Sequence, residues 1–175
     1  MNVDARLPKL VFVAIAIVAA IYFWSNYAQL PEVVASHFNA RGVANGWQTK
    51  STFLTFFAAA VALASFLAFG VPFLVSKMPV ELVNLPHKEY WLEPERRSET
   101  LALLSGSFAW FSCGVLLVVT TAVNYAIGRN LHPEAQMDPP AIVYVLGGFI
   151  LFALIGSIRL LTHFARVPRD GFAPK

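Results

Sequence analysis

Charged residues are scarce in this sequence of 175 residues, where Asp, Glu, Lys and Arg together make up 13% of the chain. Soluble domains usually carry about 25% charged residues, so an ordinary water-soluble domain is excluded. An apolar helix of about 20 residues crosses the hydrocarbon core of a bilayer. Four stretches without any formal charge reach that length, and they are residues 10–31, 51–76, 100–128 and 139–158.

Other absences exclude classes of function. Cys113 is the only cysteine, so the chain can form neither an intrachain disulfide nor a thiolate metal cluster. The four uncharged stretches also contain no histidine, which argues against a proton pump or an ion-coupled transporter. No glycine-rich phosphate loop, His-x-x-x-His pair or Gly-x-Ser-x-Gly motif occurs. We therefore expect no enzymatic activity, no cofactor and no bound metal.

What the sequence does contain is four continuous apolar runs that lack the alternation of a β-strand. Lipid offers backbone polar groups no partner, so spanning segments are helices or closed barrels, and continuous apolar runs favour helices. The sequence predicts an all-α, polytopic membrane protein that forms a single domain over residues 1–175, with a kink in the second helix at Pro72. Its four transmembrane helices are expected at about residues 9–27, 51–76, 97–126 and 140–163.

The first apolar run has a second interpretation, because Arg6 and Lys9 precede it as in a signal peptide. The run continues through the aromatic residues Tyr22, Phe23 and Trp24 without an evident cleavage site. Aromatic clusters are typical of the membrane interface. A retained membrane anchor is therefore favoured.

Lysine and arginine are distributed unevenly among the segments that connect the predicted helices. Ten of the 13 lie in the N-terminal segment, the middle loop and the C-terminal tail, and three lie in the first and third loops. The positive-inside rule then predicts both termini and the middle loop in the cytoplasm (N-in/C-in) and the other loops outside. The net charge of +3 follows from this distribution, so we expect the lipid bilayer, and no nucleic acid, as a partner.

The first outer loop, residues 30–50, is rich in residues that form turns. Pro31 is expected to end the first helix, and an extended stretch runs to Phe38. Gly42 and Asn45-Gly46 are predicted to form turns, because these residues tolerate positive φ.

The polar and aromatic residues of this loop are the candidates for an external site. Thr49 or Ser51 is expected to cap the second helix instead. His37 alone more often bonds a neighbouring main-chain group than it binds a metal, which is the structural alternative. The candidate binding residues for an external peptide or small ligand are His37, Phe38, Asn39, Arg41, Asn45 and Trp47.

The middle loop, residues 84–100, is the candidate site for a partner protein on the inner face. Pro94 suits the first turn of a helix, and Glu93 is expected to pair with Arg97. The alternative is an amphipathic surface elbow that positions the third helix. The candidate docking residues are His87, Lys88, Tyr90, Trp91, Glu95, Arg96 and Arg97.

The outer loop resembles a known family. Leu30-Pro31, His37-Phe38, Gly42, Asn45-Gly46-Trp47 and Lys50 are similar to the pattern of the bacterial domain of unknown function 1648. That domain is related to the N-terminal part of the sporulation-delaying-protein immunity family. The resemblance implies a bacterial membrane protein, and the best-known relative protects against a secreted toxin and holds a transcriptional repressor at the membrane.

Together these observations favour a non-enzymatic, multi-pass protein of the bacterial cytoplasmic (inner) membrane, of an immunity or signalling type. Its outer loop would sense a ligand or peptide, and its inner loop would dock a partner. A structural accessory subunit of a larger membrane complex is the alternative. A membrane enzyme would require polar residues of the outer loops to converge on a cleft that contains His37.

Overall fold

The computed structural model describes residues 5–39, 41–134 and 140–167. These form six α-helices and a two-stranded antiparallel hairpin. A π-helical turn, Phe66–Gly70, connects α2 and α3, and a short 3₁₀ turn, Val80–Leu82, precedes α4. In chain order the elements are α1 (Arg6–Tyr27), β1 (Val33–Phe38), β2 (Ala44–Thr49), α2 (Lys50–Ser65), α3 (Val71–Lys77), α4 (Lys88–Trp91), α5 (Pro94–Leu131) and α6 (Pro140–Phe164).

Four helical segments are long and apolar enough to cross a membrane, which confirms the four predicted spans. Their bounds are wider than expected, above all in α5, which extends to Pro94 at one end and to Leu131 at the other. The last turns of α5 stay helical because Ala126 and Ile127 are buried in the core. N-in/C-in orientation stays a prediction. The four segments are Arg6–Tyr27, Lys50–Lys77, Pro94–Leu131 and Ala141–Phe164.

Helices α1, α2 and α5 pack together around two clusters of buried apolar side chains. In the cluster nearer the hairpin, the rings of Phe23 and Phe57 stack with centroids 4.5 Å apart. Val34 of β1 is fully buried in the same cluster, so the hairpin is part of the core. The second cluster, at the middle of the bundle, contains Phe12, Ala64, Ala68, Cys113 and Leu116.

Helix α6 lies outside this three-helix core and packs against α5. Of residues 141–164 only Phe164, at its end, is buried. Near its middle the Phe149 ring lies so close to α5 that a Cβ added at Gly114 would come within 2.6 Å of it. Glycine at position 114 therefore allows the approach of α6.

The second spanning segment is interrupted just before Pro72. Proline has no N–H to donate to the preceding turn, so a regular helix would lose a hydrogen bond there. The chain adopts a π-helical turn over Phe66–Gly70, in which Val71 N–H donates to Phe66 O. The irregularity expected at Pro72 thus takes the form of a π turn.

The outer loop forms a hairpin rather than the compact turns predicted from the sequence. Strands β1 and β2 pair antiparallel, with Val33 opposite Thr49 and Ala35 opposite Trp47. The turn lies between the strands, where Gly42 has φ 72°. Asn45-Gly46 lies within β2 instead, so the turn predicted there is wrong. The all-α class is accordingly incomplete, since this mostly helical chain also contains two strands.

Glycine at position 46 has another purpose. It lies opposite His37 next to an irregularity in the ladder, and a Cβ added there would lie 2.9 Å from the His37 Cβ. A side chain at this position would push the strands apart. The register of the hairpin therefore explains the glycine, and no positive φ is needed.

Candidate functional site

The hairpin is held on the bundle by one side chain of α5. Asn130 Oδ1 accepts the N–H of Ala35 at 2.9 Å, and its Nδ2 donates to the Ala35 carbonyl at 2.8 Å. Nδ2 also donates to Ala126 O within the helix at 2.8 Å. The amide thus supplies the donor and acceptor that a third strand would offer to the outer edge of β1.

Further contacts fix both ends of the hairpin. At the turn, Phe38 meets Tyr125 of α5 edge to face, with ring centroids 5.1 Å apart. At the base, Lys50 donates its main-chain N–H to Glu32 O at 3.0 Å, and its ammonium pairs with the Glu32 carboxylate at 2.6 Å. The Thr49 side chain accepts the N–H of Thr52, which confirms one of the two predicted caps of α2.

The six predicted ligand-binding residues divide between two roles. Phe38 packs against α5, and Asn39 closes the turn by accepting the N–H groups of Arg41 and Val43 at 2.9 and 3.0 Å. These two residues build the hairpin. The remaining four, His37, Arg41, Asn45 and Trp47, are exposed.

Two of the exposed residues are brought together by the register. His37 Nδ1 lies 2.6 Å from Asn45 Oδ1. With that oxygen accepting, the ring donates from Nδ1, and Nε2 is left without a partner among the described residues. Trp47 lies in the same strand as Asn45, two residues on, and its side chain is 61% exposed. The exposed face of the hairpin thus combines an imidazole acceptor with a large aromatic surface.

Strand β2 also has an open main-chain edge. Opposite residues in an antiparallel pair alternate between those that exchange main-chain hydrogen bonds and those that do not. Lys50 and Glu32 form a hydrogen-bonded pair, and Ala35 and Trp47 form the pair three positions further along. Because the two kinds of pair alternate, the main-chain groups of Ala35 and Trp47 point away from each other. The main-chain groups of Ala35 bond to Asn130, and those of Trp47 lie on the free edge of β2.

No group of three or more His, Cys, Asp or Glu side chains that could hold a metal ion occurs in residues 5–39, 41–134 and 140–167.

At the opposite end of the bundle, Arg97 ties the middle loop to the end of α3. Its Nη2 donates to Ser76 O at 3.3 Å and to Met78 O at 3.2 Å. The ion pair predicted between Glu93 and Arg97 is wrong, because Glu93 pairs with Arg96. The carbonyl groups at a helix C-terminus lack partners within the helix, so a cationic donor such as Arg97 can bond to them. Pro94 begins α5 as predicted.

Trp91 connects the same loop to α6. Its Nε1 donates to Phe164 O at 3.0 Å, and its ring lies 4.8 Å from the His163 ring, centroid to centroid. Thr100 of α5 donates to Trp91 O at 2.8 Å. Trp91 is thus held between α5 and the end of α6.

The other predicted docking residues form a small surface around α4. The Arg96 guanidinium lies 4.0 Å from the Tyr90 ring centroid, and Lys88 Nζ donates to Glu81 O at 2.8 Å. The side chains of His87 and Glu95 are exposed and have no partner within the described part of the chain. Of the seven predicted docking residues, Trp91 and Arg97 therefore mainly hold the loop in place. The other five lie in or next to α4, and they are His87, Lys88, Tyr90, Glu95 and Arg96.

The segment that contains the hairpin is similar to a known protein family. Residues 11–63 match a family model, Domain of unknown function (DUF1648). The DUF1648 match covers most of α1, the whole hairpin and most of α2. The comparisons found neither a similar curated protein nor a similar solved structure.

The side chain of α5 that bonds the hairpin lies outside the matched segment. Asn130 is 95 positions from Ala35 in the sequence. Sequence reasoning missed it, although one indication was present: an amide follows the apolar pair Ala126 and Ile127 on the same helix. A polar side chain on the inner face of an apolar helix needs a partner.

Proposed function

We propose that this chain is a non-enzymatic, multi-pass protein of the bacterial inner membrane that binds an external peptide on its hairpin and docks a partner at its middle loop. The observation that carries the proposal is the hairpin itself. It is fixed to α5 by Asn130, yet it leaves Trp47, the His37 ring and the edge of β2 open. A rigid scaffold with an open recognition face is what a binding site requires.

An extended peptide suits this face better than a compact small molecule. Open strand edges bind peptides by adding a strand, with main-chain hydrogen bonds for affinity and side-chain contacts for specificity. The Trp47 main-chain groups would supply the hydrogen bonds, and its exposed ring would cover an apolar side chain of the peptide. The free Nε2 of His37 would accept a polar hydrogen.

Helix α5 supports a signalling role because it connects the two loops. It is a continuous helix of 38 residues, about 57 Å long, with Asn130 in its last turn and Arg97 in its first. A peptide that shifts the hairpin would act on Asn130. The same helix bonds Trp91 of the middle loop through Thr100 and the end of α3 through Arg97. The surface around α4 is the proposed docking site for a cytoplasmic protein.

The nature of the external peptide is suggested by the family resemblance of residues 30–50. If the resemblance extends to the sporulation-delaying-protein immunity family, a secreted toxin is one candidate. Cells that lack the protein would then be more sensitive to toxin-containing culture medium from the same host, and the wild-type chain would restore resistance. Equal sensitivity of the two strains would remove immunity from the proposal and leave peptide sensing to the next test.

Photo-crosslinking tests the peptide site directly. A photoreactive amino acid replaces Trp47 in living cells, and Val143 on α6, also exposed, serves as the control position. We expect a cross-linked peptide at position 47 and none at position 143. Recovery of lipid alone at both positions, together with full complementation by His37→Ala and Trp47→Ala, would show that the hairpin is not a peptide site.

A test of orientation belongs with this experiment. Trp47→Cys in a Cys113→Ser background should react with a membrane-impermeant maleimide in intact cells, because the positive-inside rule places the hairpin outside. Glu95→Cys should react only after the cells are lysed. The reverse pattern would place the hairpin in the cytoplasm and exclude an external ligand.

A structural accessory subunit is the second candidate, and the exposure of α6 favours it. Gly147, Gly148 and Gly156 have open space where a side chain would project. Glycines on an exposed helix allow close approach of another helix. Purification in mild detergent from the natural host should then yield a stoichiometric membrane partner. A monodisperse, thermally stable chain without a partner would exclude this candidate.

A further inference from the structure

A groove of about 940 Å³ lies between α5 and α6, at the end of the bundle that carries α4. It is separate from the hairpin and borders the surface around α4, because Trp91 and Arg96 also line it. Leu103, Phe108 and Phe111 of α5 and Phe152, Gly156 and Leu160 of α6 line its apolar part. Its volume is at the upper end of the range of small-molecule pockets, roughly 300–1,000 Å³.

The groove lies between two places at which α6 contacts the rest of the chain. One anchor is the packing of Phe149 against Gly114. The other is the hydrogen bond from Trp91 to Phe164 O. These anchors are 15 residues apart along α6, which is about 22 Å. Between them the small residues of α6, Ala153, Gly156 and Ser157, line an open space instead of a close helix contact.

A space of this size between spanning helices is filled by lipid in a bilayer. A group of the size of water or methylene takes roughly 30 Å³, so the groove accommodates on the order of thirty of them. That is the scale of the acyl chains of one phospholipid. The aromatic and aliphatic lining matches such chains, because apolar side chains gain nothing from contact with water.

Opposite charges line the polar end of the groove on its two sides. Glu99 of α5 and Arg159 of α6 line the groove, together with His163 and with Arg96, whose guanidinium is paired with Glu93. Neither the Glu99 nor the Arg159 side chain forms an ion pair or a hydrogen bond with any residue that the structure describes. Two unpaired opposite charges across an open groove are complementary to a ligand that carries both charges itself.

We infer that this groove binds one phospholipid with a zwitterionic, primary-amine headgroup, of the phosphatidylethanolamine type. The acyl chains lie along Phe108, Phe111 and Phe152. The phosphate meets the Arg159 guanidinium, which can bind it through two N–H groups. The ammonium donates hydrogen bonds to the Glu99 carboxylate. The apolar part of the groove selects a lipid over free phosphate, which would contact only its polar end.

Native mass spectrometry of the purified, delipidated full chain tests this inference. Mixed micelles contain phosphatidylethanolamine, phosphatidylcholine or phosphatidylglycerol with the same acyl chains. We expect one retained phosphatidylethanolamine per chain, bound about five- to tenfold more tightly than phosphatidylglycerol, whose headgroup has no cation to meet Glu99. Phosphatidylcholine should bind with intermediate strength, because its quaternary ammonium has no N–H to donate.

Gly156→Leu tests whether the lipid occupies the groove. Position 156 has open space for the new side chain, which would fill the apolar part without a clash. Gly147→Leu is the matched control, since it also meets open space but lies outside the groove lining. We expect Gly156→Leu to lose the retained lipid and Gly147→Leu to keep it. Equal retention by the two variants would overturn the inference, because the lipid would then be bound elsewhere.

Two charge variants test the headgroup assignment. Glu99→Gln should reduce the preference for phosphatidylethanolamine over phosphatidylglycerol about tenfold, whereas Glu95→Gln, one turn earlier and outside the groove, should preserve it. Arg159→Gln should weaken binding of all three lipids, and Arg166→Gln should not. Phosphatidylglycerol bound as tightly as phosphatidylethanolamine by the wild type would contradict a zwitterionic site.

Inorganic phosphate distinguishes the two sources of a phosphate group. Added to the delipidated chain, it should neither raise the thermal unfolding midpoint nor displace the bound lipid. Stabilisation by phosphate that depends on Arg159 and equals that by phosphatidylethanolamine would show an anion site instead of a lipid site.

Discussion

At each end of helix α5, one side chain bonds the main chain of a neighbouring segment, but the side chains differ. At the hairpin end, Asn130 bonds both the N–H and the C=O of Ala35. At the other end, Arg97 bonds the carbonyl groups of Ser76 and Met78. A strand edge presents donors and acceptors in turn, so an amide suits it. The end of a helix presents carbonyl groups only, so a cation suits it.

The residue type at each end follows from the main-chain groups left open by the neighbouring segment. Each of these side chains attaches a segment outside the spanning helices to α5. Variants at the two ends should therefore differ in size and in kind of effect.

The largest effect is expected at the hairpin end. Asn130→Ala leaves the N–H and C=O of Ala35 without partners, which should cost about 2–4 kcal/mol of unfolding free energy. A denaturant titration in mixed micelles measures the loss. Asn124→Ala is the matched control, since Asn124 is exposed and accepts a single hydrogen bond from Tyr22. Unchanged hydrogen-exchange protection across β1 in Asn130→Ala would contradict the role of Asn130.

A second, smaller loss is expected at the other end of α5. Arg97→Gln should cost about 1–2 kcal/mol, because the two carbonyl groups it leaves are partly exposed to solvent. Arg97→Lys should recover part of that, since one ammonium donor can reach one carbonyl. Arg96→Gln is the control, because among the described residues the Arg96 side chain bonds only within the middle loop, to Glu93 and Tyr90 O. Limited proteolysis between residues 76 and 90 reports the loosening; equal cleavage of both glutamine variants would speak against the Arg97 contact.

The anchor of α6 should be weaker still. Trp91→Phe keeps a ring against His163 and Phe164 but removes the donor to Phe164 O, for an expected loss of about 0.5–1.5 kcal/mol. Tyr90→Phe provides the comparison, because it removes a hydroxyl and leaves the stacked Arg96 in place. A Trp91→Phe protein as stable as Tyr90→Phe would mean that ring packing alone holds α6.

The smallest effect is expected at the base of the hairpin. Glu32→Gln removes the ion pair with Lys50. The Glu32 side chain is 83% exposed. Exposed ion pairs contribute little and are screened by salt. The unfolding midpoint of this variant should approach that of the wild type as salt is raised. A gap that persists at high salt would show that Glu32 acts through something other than charge.

Features that depend on neighbouring residues alone could be predicted from the sequence. Pro94 begins α5 and Thr49 caps α2 because a missing N–H and a side-chain oxygen act within one helical turn. The turn predicted at Asn45-Gly46 failed because burial of Val34 and the approach of His37 to Gly46 set the register. The Glu93–Arg97 pair failed because the carbonyl groups of Ser76 and Met78 come from a distant segment.

The sequence by itself determined that the described residues form four helices long and apolar enough to cross a membrane, because long runs without charges suit the hydrocarbon core. It also placed the candidate residues in two loops. Only the tertiary structure decided which of them stay open, since that depends on Asn130 reaching Ala35 across 95 positions of sequence. The groove between α5 and α6 likewise depends on two contacts that position α6, Phe149 against Gly114 and Trp91 with Phe164 O, and no local pattern in either helix encodes them.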